Sequence, residues 1–244
     1  MPLRVGFDLD GTVADMYSAL RREAVALFGE EVLRKAEYQS TKPQEVGKEQ
    51  TPAEKKIEED EAVAMQELHL TSRQQMQLWD HVKGIENFWT TLPELEPGII
   101  SRLARAALDR RWEVIFLTTR PSTAGELVQL QSQRWLEAHG FQFPSVFVVQ
   151  RSRGKIADAL QLDAFVDDRP ENCLDIAVES KAKVILVWHG NLKDVPAGAK
   201  RLGVRPVATI REAMLLLEQL DDVRQQPGLM RSIKRAFGAQ HEGS

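Results

Sequence analysis

The chain has 244 residues, a formal net charge of −4, one cysteine and 43% hydrophobic residues. That length exceeds one domain of ~100–150 residues but falls short of two, so one sizeable core with an added piece is expected. A single Cys excludes an internal disulfide framework or a Cys-rich zinc site. The mild acidity offers nothing to a nucleic-acid polymer, and apolar runs such as 184–188 stop far short of the ~20 residues a membrane span needs. The first eight residues reach acids before a signal-peptide core could form. A soluble, cytoplasmic, reduced protein is expected, with no membrane and no nucleic-acid partner; its oligomeric state is not readable.

Leu3-Arg-Val-Gly-Phe7 reads as a short strand. A helical spacing of Met16, Leu20, Val25 and Phe28 follows. Residues 38–62 turn strongly polar, and 54–67 hold six acids and two lysines, which is the whole formal charge excess. Within this stretch Thr51-Pro52-Ala53-Glu54 reads as a helix start, and Thr71 or Ser72 with Gln74 or Gln75 as another. After Pro97-Gly98 the rhythm changes. Helix 98–110 leads to strand 112–117, helix 123–139 to strand 146–149, a short helix near 155–160 to strand 164–166, and helix 171–180 to strand 184–187. A last helix is expected over 210–220. Strands alternating with helices predict βαβ units and a parallel sheet covered on both faces. Beyond Gln225-Gln-Pro-Gly228 the tail carries Leu229, Ile233 and Phe237 beside Arg231, Lys234 and Arg235. That tail is read as a packed or frayed terminus, ahead of a partner or membrane-surface helix.

In open α/β sheets ligands bind beyond the carboxyl ends of the strands. Asp8-Leu9-Asp10-Gly11-Thr12 follows the first strand, Thr118-Thr119-Arg120 the second and Asp167-Asp168-Arg169 the fourth, with Lys155 near the start of the short helix. Converging carboxylates repel unless a cation sits among them. Oxygen-only ligands suit a hard ion, Mg²⁺ where phosphate is also present. A carboxylate can be a nucleophile, a second acid can protonate a leaving oxygen, and a hydroxyl with an ammonium can hold phosphoryl oxygens. The set points to phosphoryl transfer from a monoester. Taken singly, each acid could equally be a turn or helix cap and Lys155 a solvated surface lysine.

These residues carry a family resemblance. Phe7-Asp-Leu-Asp-Gly-Thr-Val13, Phe116-Leu-Thr-Thr119, Lys155 and Phe165-Val-Asp-Asp168 resemble the four motifs of the haloacid dehalogenase-like phosphohydrolase superfamily. The resemblance implies a Rossmann-like parallel sheet with the first and fourth strands adjacent and a helical cap inserted after the first. It implies Asp8 as nucleophile, Asp10 as general acid and base, Thr118 as a phosphoryl ligand and Lys155 as the neutralising charge. Mg²⁺ would be held by the Asp8 carboxylate, the Asp10 backbone carbonyl and Asp168, with Asp167 beside it. The division expected is a core of 1–14 and 91–224, a cap of 15–90 and a basic tail of 225–244. Within the superfamily, Phe7 to Asp15, Leu78-Trp79, Asn87-Phe88-Trp89, 133–140 and Val166-Asp-Asp-Arg-Pro170 resemble 5′(3′)-deoxyribonucleotidases. Met16 stands where that family usually has an aromatic residue. Thr119, Arg120, Trp79 and Trp89 are the candidate substrate-binding residues.

The function expected is a Mg²⁺-dependent phosphomonoester hydrolase, with nucleoside monophosphates or another small phosphorylated metabolite as substrate. A phosphomutase uses the same chemistry. A receiver domain would order its motifs differently, and a non-catalytic binding protein would have little use for the full set.

Overall fold

The computed structural model describes residues 2–34 and 68–225. The polar stretch 38–62, the helix start at Thr51 and the basic tail lie outside the described residues. Six strands form one parallel sheet: β1 (Arg4–Asp8), β2 (Glu113–Thr118), β3 (Ser145–Val148), β4 (Ala164–Asp167), β5 (Lys183–Val187) and β6 (Arg205–Val207), in the order β3-β2-β1-β4-β5-β6. The described helices include, in chain order, α1 (Met16–Phe28), α2 (Ser72–Gly84), α3 (Ile99–Arg110), α4 (Val128–Ala138), α5 (Arg153–Ala159), α6 (Pro170–Glu179), α7 (Ala197–Arg201) and α8 (Ile210–Gln225).

The described chain divides into two compact units. One comprises residues 2–14, 94–118 and 136–225, and the other 15–34, 68–93 and 119–135. The division groups 119–135 with the segment after strand β1, whereas the sequence reading assigned those residues to the core. The expected helix over 123–139 begins only at Val128, after a loop.

The sheet unit explains its own sequence pattern. A parallel sheet buried on both faces needs near-continuous apolar strands, and all four residues of β4 and four of the five in β5 are buried. One face packs Leu117, Phe165, Val184 and Leu186 against Ala157, Cys173 and Ile176. Gly6 makes room on this face, because a Cβ there would lie 2.2 Å from the Phe165 ring. Elsewhere in the unit the rings of Phe7, Phe116 and Phe141 meet in sequence, 6.2 and 5.2 Å between centroids. Burying one such ring contributes about 1.5–3 kcal/mol.

The second unit packs α1 through Met16, Ala19, Leu20 and Ala24, and α2 through Leu78, Trp79 and Val82. Asp15 caps α1 by accepting from the Ser18 amide, 2.9 Å. Thr71 and Gln74 form a reciprocal capping box at the start of α2, the arrangement that satisfies two orphan amides of a helix start. Among the described helices none is long and apolar enough to cross a membrane.

Candidate active site

Strand register builds the site. Phe7 of β1 pairs with Val166 of β4, and Asp8 with Leu117 of β2. The next residues in each strand therefore set Thr118, Asp8 and Asp167 in a row at the carboxyl edge of three adjacent strands. This is where the chain passes between the two halves of the sheet, the usual crevice of such folds.

Asp8, Asp167 and Asp168 each offer a carboxylate oxygen, and these atoms lie within 4.8 Å of one another. Asp8 and Asp167 are buried. The Arg153 guanidinium is buried as well and donates through Nη1 to Asp8 Oδ1 at 2.6 Å and to Asp167 Oδ2 at 2.7 Å. Asp167 Oδ1 also accepts from the Arg169 amide, 2.9 Å, and from Asn172 Nδ2, 3.2 Å. Asp168 Oδ1 accepts from the Thr12 hydroxyl at 2.8 Å. The Thr118 hydroxyl lies 3.3 Å from Asp10 Oδ2.

The turn after β1 brings Asp10 and Thr12 back over the strand ends. It is closed by the Gly11 amide on the Ala14 carbonyl and by the Val13 and Ala14 amides on the Leu9 carbonyl. Gly11 has φ +83°, and a Cβ there would lie 2.3 Å from Asp168 Oδ2. Only glycine meets both demands, the left-handed backbone and the close carboxylate.

The cation that the structure places beside Asp8 is Arg153, whereas the family resemblance pointed to Lys155. Lys155 is exposed, two residues further along α5. Ser152 caps this helix, and the residues facing inward are Arg153, Gly154 and Ala157. A helix starting at Ser152 turns Arg153 and Ala157 to the same side, four residues apart, and Lys155 away from it. The cap and the small residues at 154 and 157 were the available signal. Asp175 of α6 locks this helix start by accepting from Ser152 Oγ (3.0 and 2.9 Å) and from the Gly154 amide (2.8 Å). Gly154 is needed for that approach, since a Cβ would lie 2.3 Å from the Asp175 carbonyl.

Burial sets the electrostatics. Desolvation pushes the Asp8 pKa up from 3.8 to about 7, with Arg153 pulling it back and Asp167 and Asp10 pushing it further. Asp168 is raised well above the usual carboxylate range, by burial first and then by Asp8 and Asp167, while Thr12 opposes the rise. Asp167 is raised by burial against the pull of Arg153. Burial alone would lower the Arg153 pKa, but Asp8 and Asp167 raise it overall. Three clustered carboxylates thus face one guanidinium. Ionising all three leaves an excess of two negative charges, which a divalent cation on carboxylate oxygens would balance. The donor set therefore fits Mg²⁺.

The other four residues expected at the substrate lie in the second unit. Trp89 is fully buried, and its indole N–H donates to the Pro121 carbonyl at 2.9 Å. Arg120 is 3% exposed, donates to Ser132 Oγ at 3.0 Å and stacks on the rings of Trp89 and Trp135, 4.9 and 5.8 Å from their centroids. Trp79 is 6% exposed on the inner face of α2, and Thr119 is partly buried. Trp79, Trp89 and Arg120 are thus built into the packing of their own unit.

No protein-family model matches the sequence, and no curated protein resembles it significantly. Solved structures do. A "predicted phosphatase" from Clostridium acetobutylicum superposes with a TM-score of 0.53 at 14% identity, over 89% of this chain and 99% of that one. A "putative beta-phosphoglucomutase" from Thermotoga maritima superposes with a TM-score of 0.50 at 16% identity, over 89% and 99%. At such identities the likeness concerns the fold. The chain has the haloacid dehalogenase-like fold, a Rossmann-type parallel sheet whose carboxyl edge carries the acid cluster.

Proposed function

We propose that the protein is a Mg²⁺-dependent phosphomonoester hydrolase that works through an aspartyl-phosphate on Asp8. The observation that carries this reading is the placement of Asp8 at the end of β1, within reach of Arg153, Asp167 and Asp168, with Asp10 and Thr118 in the same crevice. The fold relatives described as a "predicted phosphatase" and a "putative beta-phosphoglucomutase" are consistent with it.

In this reading Asp8 attacks phosphorus, an Asp8–phosphorus bond forms and the ester P–O bond breaks. Asp10 in its acid form gives its proton to the departing alcohol oxygen. Asp10 then takes a proton from water as that water attacks the phosphorus, so inorganic phosphate leaves and Asp8 returns as a carboxylate. Arg153 faces the charge that leaves Asp8 as it attacks and returns to it when the aspartyl-phosphate is hydrolysed, and the Thr118 hydroxyl can donate to a phosphoryl oxygen. Asp8, Asp168 and Asp167 would hold Mg²⁺, with the Asp10 backbone carbonyl added by the family resemblance. Bound there, the ion would supply charge neutralisation at the transferring group and would keep the buried acids ionised.

Deoxynucleoside monophosphates are the substrate class that the sequence resemblance favours. Trp79 and Trp89, the aromatic candidates for the substrate, are buried, so that choice rests on the motif segments. The test is phosphate release from p-nitrophenyl phosphate and from a panel of nucleotides and sugar phosphates. Activity should need Mg²⁺ and vanish in Asp8→Asn. Hydrolysis that survives EDTA or Asp8→Asn contradicts the reading.

A further inference from the structure

His189 follows β5 and belongs to none of the four motifs. The structure gives it a partner 178 residues away, the carbonyl of Gly11, 2.6 Å from His189 Nε2. We propose that His189 is a positioning residue for the site, donating its Nε2–H to Gly11 and clamping the turn that carries Asp10 and Thr12.

Both ends of the contact are built to meet. His189 follows β5, where the Trp188 amide donates to the Val207 carbonyl of β6 at 2.8 Å. The Trp188 indole N–H closes the turn on the Asn191 carbonyl at 2.9 Å. Gly190 lies flat against that indole, since a Cβ there would sit 3.0 Å from its nitrogen. The ring of His189 is thus carried on a closed turn of 188–191.

At the other end, Gly11 is the link between the two working residues of its loop. Asp10 meets the Thr118 hydroxyl on one side, and Thr12 holds Asp168 on the other. Its left-handed backbone is open to glycine and costly for most residues, and glycine has the most freedom to leave it. A donor on the Gly11 carbonyl restrains rotation of the Gly11–Thr12 peptide, and so holds Thr12 against Asp168 and steadies the turn that also carries Asp10. Neutral histidine with its proton on Nε2 and the imidazolium both supply this donor, so the clamp needs no change of protonation.

The catalytic part of this inference rests on the phosphatase reading; the clamp itself does not. His189 is exposed, so the fold should tolerate its replacement. The experiment compares the wild type with His189→Phe, which keeps a ring and loses the donor, and His189→Gln, which restores an N–H. Amide exchange of residues 9–14 is read by mass spectrometry, and kcat and KM are read with p-nitrophenyl phosphate and Mg²⁺. His189→Phe should speed exchange at Gly11, Val13 and Ala14 and lower kcat by about 3- to 10-fold with KM unchanged, the effect of losing one modest hydrogen bond. His189→Gln should restore both. Unchanged exchange in His189→Phe overturns the clamp. Faster exchange with unchanged kcat overturns its catalytic role, and a rise in KM alone would make His189 a substrate contact instead. If the wild type releases no phosphate, the phosphatase reading fails while the exchange data still judge the clamp.

Discussion

Replacing Arg153 with Met removes a buried guanidinium and keeps much of its volume. Two charge-assisted hydrogen bonds disappear, those of 2.6 and 2.7 Å to Asp8 and Asp167. Breaking a buried ion pair from one side costs about 3–5 kcal/mol. For a chain of this size each kcal/mol moves the melting temperature by roughly 2–4 °C, so a drop of roughly 6–20 °C is expected at pH 8. The drop should shrink at pH 5.5, below the Asp8 pKa of about 7, where a proton on Asp8 relieves the charge left by the lost cation. Loss of a donor aimed at developing charge costs about 10²–10³ in kcat. Lys155→Met is the control, because its side chain is exposed, and it should stay within about threefold of wild type. The assay is p-nitrophenyl phosphate hydrolysis with parallel thermal melts. A Lys155→Met enzyme crippled beside a near-normal Arg153→Met enzyme would refute the assignment of the cation.

Other outcomes follow from the same contacts. The Asp8 pKa is raised on folding from 3.8 to about 7, so the folded state holds its proton more tightly than the unfolded state. Its contribution is fully present below pH 3.8 and is lost as pH rises to about 7, a change of about 4 kcal/mol from this group. Melts in EDTA should therefore show the metal-free protein losing stability across that window, and added Mg²⁺ should raise the melting temperature more at pH 8 than at pH 5.5. Equal shifts at both pH values would argue against carboxylate ligation. Gly154→Ala places a methyl group 2.3 Å from the Asp175 carbonyl. It should cost about 1–3 kcal/mol in denaturant unfolding and lower kcat by displacing Arg153. Trp89→Phe loses the bond to Pro121 and part of the stacking on Arg120. It should lower the melting temperature and leave KM unchanged; a raised KM with unchanged stability would return Trp89 to the substrate.

What the sequence revealed and what it hid follow from physics at particular residues. The strands were legible because a doubly covered parallel sheet demands apolar runs, and the acids at their ends stood out against those runs. The adjacency of β1 and β4 came from the family resemblance and is borne out by the Phe7–Val166 pairing. Strand β6 was missed because it has three residues, one of them Pro206 on an edge strand where a missing donor costs little. The start of α4 was placed too early because tertiary contacts hold its approach. The Ala124 amide donates to the Lys83 carbonyl, and the Glu126 amide to Asn87 Oδ1. Neither contact leaves a local signature. The family resemblance pointed to Lys155, whereas the facing of a helix capped by Ser152 brings Arg153 to Asp8. The burial of Trp89 and Arg120 depends on each other and on Trp135, a long-range fact with no trace in spacing.

The central claim is that Asp8 itself receives the phosphoryl group. Borohydride reduces an acyl phosphate to an alcohol, so quenching the working enzyme with borohydride should convert the Asp8 side chain to that of homoserine. Peptide mass mapping should find this change at position 8 only when both a turning-over substrate and Mg²⁺ are present, and not in the presence of EDTA. Steady phosphate release with position 8 unmodified and the mark on another acid would contradict the account.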